Sequence, residues 1–452
     1  MKPSSKPSLE ITTGPIAPAR RAAFDVLLEL KRKPDLHSDV LLRSRVEALS
    51  PLDRNLATTL VMGVLRWQLA LQPRIRDALT RSKGHLADPV QVALELGALQ
   101  LLLLDRIPAH AAIFESVELA RQSGNIYAVG LVNAVLRKLS QTPRIVADDA
   151  QNAVAAHPQW MVERWVAAYG REAAAAICRY DQLLPPATLR LILPQAASAL
   201  QAEGVELQPG SFVTSARRVS AGEVTGSRVL SQGLVRLQDE GSQLIAELAG
   251  SGNAILDCCA APGGKTAILA QRNPGATITA CDISPRRLQA MQSLLGSQQV
   301  RYRVLDATEM PFREQFDLVL CDAPCSGTGT IARNPEIRHR VTADDFGRQH
   351  ERQVRLLGSA MRSLRGDGRL IYSTCSLEAE ENENVVAEAL ERDRGFRLKP
   401  WREQIRALEQ EGRLHSGAAD RLFPGGSADD FVRTLPGAYP GDGFFAACLT
   451  RD

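Results

Sequence analysis

Several things are missing from this 452-residue chain, and each absence excludes something. The longest apolar stretch, Leu99 to Leu104 with its neighbours, falls far short of the ~20 residues that a membrane span needs. The opening residues, Met1-Lys-Pro-Ser-Ser-Lys-Pro-Ser8, hold no apolar signal core. A disordered tail over 1–18 and a cytoplasmic location are the expectation. Cysteine is scarce, with eight residues, which makes no disulfide scaffold. No C-x-x-C pair occurs, and Cys258 and Cys259 are adjacent, which argues against a zinc site. Reduced thiols and no bound metal are expected. Lysine is scarcer still in proportion: only 8 of the 54 basic residues. Between Leu139 and Leu398 the single lysine is Lys265, inside a glycine loop, which suggests a need for a compact ammonium there. There is no internal repeat.

Composition is that of a globular protein, 44% apolar and 23% charged, and the length calls for two or three domains. Net charge is only +3 but unevenly spread. Residues 1–145 carry 20 Lys and Arg against 13 Asp and Glu, a net of +7, leaving 34 against 38 for the rest. A basic front suggests contact with a polyanion, most plausibly nucleic acid.

From about Pro18 to Thr142 the apolar spacing is helical. Arg20-Arg-Ala-Ala-Phe24 opens one helix, and Ser50-Pro51 caps another that runs past Trp67. Further helices are expected over 89–105, 110–123 and 126–139. Short connections fit a bundle. From 144 to 232 a small α+β module is expected, with a helix from His157 through the alanine run near Ala173, stopped by Pro185-Pro186, and a strand over Thr188-Leu-Arg-Leu-Ile192.

From about Arg236 strands and helices alternate. Strands are expected over 254–257, 277–282, 301–305, 316–322 and 370–374, with a late one over 443–449. That alternation predicts a doubly wound, mostly parallel sheet. Ile255-Leu-Asp257 opens into Cys258-Cys-Ala-Ala-Pro-Gly263-Gly264-Lys265-Thr266. Glycines let backbone approach a ligand, and the helix that follows favours an anionic group at its N-terminus. A P-loop would need glycine where Cys259 stands, and no G-x-G-x-x-G is present, so a nucleoside triphosphatase and a nicotinamide dinucleotide are both disfavoured. Asp257, Asp282, Asp306 and Asp322 each close an expected strand, an ordered set that suits a nucleoside pocket. Two thiols also sit at strand ends: Cys325 in Asp322-Ala-Pro-Cys325-Ser326-Gly327, and Cys375 in Ser373-Thr-Cys375-Ser376. Cys178, Cys281, Cys321 and Cys448 read as buried apolar residues.

Three stretches carry a resemblance: Leu256-Asp-Cys-Cys-Ala-Ala-Pro-Gly-Gly-Lys-Thr266, Asp322-Ala-Pro-Cys-Ser-Gly-Thr-Gly329 and Ser373-Thr-Cys-Ser376. In this order they resemble the RNA cytosine-C5 methyltransferase family. Asn334-Pro-Glu-Ile-Arg338 and Glu380-Glu-Asn-Glu383 match it too. The front of the chain, through Arg21-Ala-Ala-Phe24, Asp53-Arg54 and Val132-Asn-Ala-Val-Leu-Arg137, resembles the helical RNA-binding domain of the NusB family. Together they point to the bacterial branch acting on 16S ribosomal RNA. The domains implied are a NusB-like bundle over 19–143, the α+β module over 144–232, and a Rossmann-like methyltransferase domain over 233–452.

The resemblance implies S-adenosylmethionine as cofactor. Its methionine part would lie on Cys259, Ala260, Ala261, Pro262, Gly263, Gly264 and Lys265, its ribose on Asp282 and its adenine on Asp306. Asp322 would sit near the methyl group and the target base. The family assigns the nucleophile to Cys375 and product release to Cys325, with Lys265 lowering the thiol's proton affinity. The residues by themselves leave the order of the two thiols open, because DNA cytosine methyltransferases place their nucleophile in a Pro-Cys motif. Arg333, Arg338 and Arg340, just past that motif, are expected to hold RNA backbone. A monomer without membrane or metal partners is expected. The other classes are a NusB-type binding factor without catalysis and a DNA methyltransferase.

Overall fold

In the computed structural model of this chain, residues 15–33, 36–79, 85–296 and 298–451 are described. Most of the expected tail, residues 1–14, lies outside them. The chain forms two compact units: Met1–Arg164 with Asn334–Arg340, and Trp165–Arg333 with Val341–Asp452.

The first unit is helical: α1 (Pro18–Arg32), α2 (Ser38–Val46), α3 (Pro51–Ala78), α4 (Asp88–Leu102), α5 (Ala109–Gln122), α6 (Val129–Leu139) and α7 (Ala150–Ala155). Their starts follow local chemistry. The Ser50 hydroxyl accepts from the Asp53 amide at 3.2 Å, and Pro51 takes the first position, where no N–H is needed. The helix expected over 126–139 begins later, because Ile126–Ala128 form a tighter turn ahead of α6. One core runs through the bundle, with Phe24, Leu60, Leu94 and Leu136 at its centre. Arg20 is buried there and donates to Gln100 at 2.7 Å and to Glu115 at 2.8 Å.

α8 (Gln159–Gln182) is broken where a continuous helix was expected. Gly170 has φ +83 and ψ 162, a backbone state open to glycine and closed to most residues. Beyond it lies a four-stranded antiparallel sheet, β1 (Thr188–Leu191), β2 (Glu206–Pro209), β3 (Ala216–Ala221) and β4 (Val235–Leu237), in the order β2-β3-β1-β4. Short helices α9 (Ala196–Ala202) and α10 (Arg228–Ser231) accompany it.

After α11 (Glu240–Ala249) the alternating region builds the main sheet. In chain order come β5 (Ala254–Asp257), α12 (Gly264–Arg272), β6 (Thr277–Asp282), α13 (Pro285–Leu295), β7 (Val300–Val304), β8 (Phe316–Asp322), α14 (Ile337–Arg340), α15 (Ala343–Ser363), β9 (Leu364–Thr374), α16 (Glu383–Arg392), β10 (Phe396–Leu398), α17 (Arg402–Gln410), α18 (Ala418–Leu422), β11 (Phe431–Thr434) and β12 (Phe444–Arg451). The path is β10-β12-β9-β8-β5-β6-β7, with β11 on β12. The stretch β9-β8-β5-β6-β7 is parallel, and β12 pairs antiparallel with β9. β9 starts six residues earlier than expected. Arg365-Gly-Asp-Gly368 reads as a turn, yet it stays in the sheet through a register shift opposite Phe316/Leu318. Among the described residues no helix is long and apolar enough to cross a membrane.

Candidate active site

The parallel strands β5, β8 and β9 end side by side, so the residues that follow them meet at one sheet edge, where doubly wound folds place their chemistry. The edge opens into a cavity of about 350 Å³ whose wall includes Cys259, Asp282, Asp306, Asp322, Cys325 and Cys375.

The glycine loop after β5 is held from below. The Asp257 carboxylate accepts from the Thr266 hydroxyl at 2.6 Å, and burial pushes its pKa up to about 7. The Ala260 amide donates to the Cys281 carbonyl at 2.8 Å, and Arg287 donates to the Ala261 carbonyl at 2.7 Å. Gly263 has φ +102, and a Cβ there would stand 2.7 Å from Met291 Cγ, so the turn requires glycine. Ala261 and Cys259 line the cavity.

Two aspartates face the same space. Asp282 ends β6 and is nearly buried; it accepts from the Ser284 amide at 2.8 Å and lies 3.7 Å from Arg287. Asp306 does not end a strand, contrary to expectation. β7 stops at Val304, and Asp306 starts the turn that follows, accepting from the Thr308 amide at 2.9 Å and hydroxyl at 2.8 Å. Those bonds, with Arg352 and Arg355 nearby, hold its carboxyl below the usual range. Two carboxylates lining one cavity are acceptors of the kind that ribose hydroxyls and an adenine amino group require, so the residues present fit S-adenosylmethionine.

Lys265, at the start of α12, donates to Asp322 Oδ2 at 2.7 Å, and the Ser373 hydroxyl donates to Asp322 Oδ1 at 2.7 Å. Burial alone would lower the Lys265 pKa, but Asp322, and behind it Cys375, raise it. Its ammonium also lies 5.5 Å from the centre of the Phe444 ring.

The two sulfurs meet: Cys325 Sγ and Cys375 Sγ are 3.4 Å apart. The bond to Cys375, then burial, drives the Cys325 pKa well above that of a free thiol. The Glu381 carboxylate nearby pushes in the same direction. Either sulfur can donate in this contact, and Cys375 lies on the Lys265 side. Cys258 and Cys259 are likewise driven up, and Cys258 is buried beneath the loop.

In the sequence, Glu380-Glu-Asn-Glu383 has no role of its own, and the structure supplies one. Glu381 is fully buried and accepts from the Ser326 amide at 2.8 Å, from the Ser326 and Ser376 hydroxyls, and from Gln353 at 3.2 Å. Asn382 donates to the Ser376 carbonyl at 2.9 Å and accepts from the Thr374 hydroxyl. This pair ties the residue after each thiol to one carboxylate. Gly329 completes the brace: its amide donates to the Cys375 carbonyl at 2.9 Å, and a Cβ there would stand 2.4 Å from the Gly443 carbonyl.

The arginines expected to hold RNA do other work. Arg333 donates to Asp239 at 2.9 Å and to Asp442 at 3.1 Å. Arg338 is 1% exposed and donates to the carbonyls of Arg66 at 2.9 Å and Ala156 at 3.0 Å. Glu336 accepts from Ser38, and His339 donates to the Leu65 carbonyl. Arg333 is tied to two carboxylates and Arg338 is buried, so neither presents its guanidinium to a phosphate. Arg340 lies on a separate cavity of the helical unit. Among the described residues no group of three His, Cys, Asp or Glu side chains could hold a metal ion.

A parallel sheet continued by an antiparallel strand, with a glycine turn and an acid at successive strand ends, defines an S-adenosylmethionine-dependent methyltransferase. The comparisons with known proteins narrow this. Residues 247–450 match the model of the 16S rRNA methyltransferase RsmB/F family, 17–141 that of the NusB family, and 157–222 the ferredoxin-like domain of RsmF/B-like methyltransferases. The chain is 31% identical to the probable ribosomal RNA small subunit methyltransferase B of Bacillus subtilis, over 96% of this chain and 98% of the relative. It is 32% identical to ribosomal RNA small subunit methyltransferase B of Xanthomonas campestris, over 89% and 90%. The solved structure of PH0851 superposes with a TM-score of 0.77 at 23% identity, over 97% of this chain and 100% of that one. NSun6 from Pyrococcus horikoshii follows with 0.53 at 19%, over 65% and 98%. This chain belongs to the RsmB/F family of 16S rRNA methyltransferases.

Proposed function

We propose that this protein methylates C5 of a cytosine in 16S ribosomal RNA, through a covalent bond between Cys375 and C6 of the base. The observation that carries this is the pair of sulfurs 3.4 Å apart on the wall of the cofactor cavity, beside the Lys265–Asp322 ion pair.

Cytosine C5 is a poor nucleophile, and a thiolate adding to C6 turns the ring into an enamine-like donor at C5. S-adenosylmethionine, when bound, supplies the electrophilic methyl group. Cys375 is the attacking sulfur in this reading, as the family resemblance implies, and it lies toward the Lys265 ammonium, whose charge favours a thiolate. Asp322 is held by Lys265 and Ser373 and turns toward the cavity, where it can accept from the cytosine amino group and fix the ring. Release needs the C5 proton to pass to water, the C5–C6 double bond to re-form and the Cys375 sulfur to depart. Cys325, protonated and 3.4 Å away, hydrogen-bonds that departing sulfur. Asp282 and Asp306 take the ribose and adenine of the cofactor. The base must leave its stack to reach Cys375, so a loop base or a flipped one is the substrate.

Cys375→Ala abolishes methyl transfer to 16S RNA and leaves cofactor affinity within about twofold of the parent; unchanged turnover would refute the assignment. Cys325→Ala accumulates a covalent protein–RNA species, seen as a slowed band on a denaturing gel. Label carried into duplex DNA and not into rRNA overturns the substrate.

A further inference from the structure

With Arg333 and Arg338 consumed internally, the cations that meet RNA must lie elsewhere. α15 carries Arg348, Arg352, Arg355 and Arg362, at spacings that set the last three along one side of the helix. Arg348 is spent on Asp345. Arg355 and Arg362 are exposed, and their side chains have no hydrogen bond or ion pair among the described residues. Beside them runs a groove of about 330 Å³, walled by Arg355, Arg362, Arg392, Thr308 and Asp393, with Gly358 on its floor. A Cβ on Gly358 would touch only Arg362, at 3.7 Å, so the floor is open.

The groove adjoins the catalytic cavity. Asp306 and Ala307 line the cavity, and Thr308 of the same turn lines the groove. Arg352 lines the cavity, and Arg355, one turn along α15, lines the groove. The same helix reaches the thiols, because Gln353 donates to the Pro324 carbonyl at 2.9 Å and to Glu381. Arg352 to Arg362 spans about 15 Å of helix at 1.5 Å per residue.

We infer that the groove between α15 and the Thr308 turn is a binding site for the phosphodiester backbone of the RNA substrate, with Arg355 and Arg362 as its phosphate contacts. The inference rests on the proposed action on RNA. Three guanidiniums against one carboxylate give the groove a positive balance, and Arg392 is shared with Glu388. Guanidiniums pair with phosphate oxygens in bidentate fashion, and unpartnered ones need no internal bond broken first. The contact reads backbone and not base, so it adds affinity without sequence preference.

The test is equilibrium binding of a 16S rRNA fragment by the full chain across a salt series. Removing one arginine–phosphate pairing flattens the slope of log affinity against log salt by about 0.7 on single strands and about 0.9 on duplex. Arg355→Gln with Arg362→Gln is expected to flatten it by about 1.4 to 1.8. Arg171→Gln with Arg406→Gln, exposed arginines outside the groove, removes the same charge and serves as the control. A groove variant whose slope matches the parent or the control overturns the inference. A parent chain that fails to methylate the fragment sinks the proposed reaction instead, and the salt slopes still decide the groove.

Discussion

The helical unit and the sheet unit spend their charges in opposite ways. In the bundle, buried polar groups answer one another: Arg20 holds Gln100 and Glu115, and Glu95 is ringed by Gln68, Gln72 and Gln91. His339 is pushed down to about 4 by burial and stays neutral, donating to a carbonyl. At the sheet edge, Asp282, Asp306 and Asp322 each satisfy part of their acceptor capacity and present the rest to a cavity. Groups that stabilise a fold are closed circuits, and groups that do chemistry are left open on one side.

Breaking the open circuits gives the larger effects. Lys265→Met leaves Asp322 without its partner, and kcat should fall by about a thousandfold, roughly 4 kcal/mol, by single-turnover methyl transfer. A loss under tenfold would show that the ion pair is structural. Asp257 offers a test by pH. Its folded pKa is raised from 3.8 to about 7, so the protein binds a proton there that the unfolded chain has lost. Its contribution is full below about pH 4 and fades as the pH rises through 7, on the order of 4 kcal/mol in total. Asp257→Asn should therefore flatten the fall in Tm between pH 4 and 7; an unaltered Tm profile would show that the carboxyl ionises freely. Glu381→Ala takes an acceptor from four buried donors, the Ser326 amide among them, and should cost about 3 kcal/mol in urea unfolding, with kcat lowered while cofactor affinity holds. Arg20→Ala, in the bundle, should cost about 1–2 kcal/mol by the same measurement and leave rRNA affinity unchanged. Weakened RNA binding there would blur the contrast between the two units.

The same contrast explains what could be read in advance. Strands β5, β6 and β8 lie within the expected bounds because apolar runs of four to seven residues closed by aspartate have few alternatives. The thiols and Lys265 stood out because their residue types are rare in this chain. Glu381 and Asn382 gave no such signal: an acid in an acidic run looks solvated until Ser326, Ser376 and Gln353 are seen around it. Arg333 and Arg338 misled for the complementary reason. Arginine after a catalytic motif looks free for ligand, and only tertiary structure shows the carboxylates and carbonyls that fill it. Arg355 and Arg362, without a side-chain partner among the described residues, lie on α15, whose spacing marks one face of a helix but not what that face meets.

Seven residues, Asn334–Arg340, leave the sheet unit's sequence to be counted with the bundle, where Arg338 finds the Arg66 and Ala156 carbonyls. No single cut of the polypeptide can then yield both parts whole. A catalytic fragment beginning at Trp165 would carry a guanidinium made for acceptors it no longer owns, and a bundle ending at Arg164 would have two carbonyls facing a hole. Evolution can lengthen or shorten either part, but swapping one for a stranger would first require rewriting this short excursion.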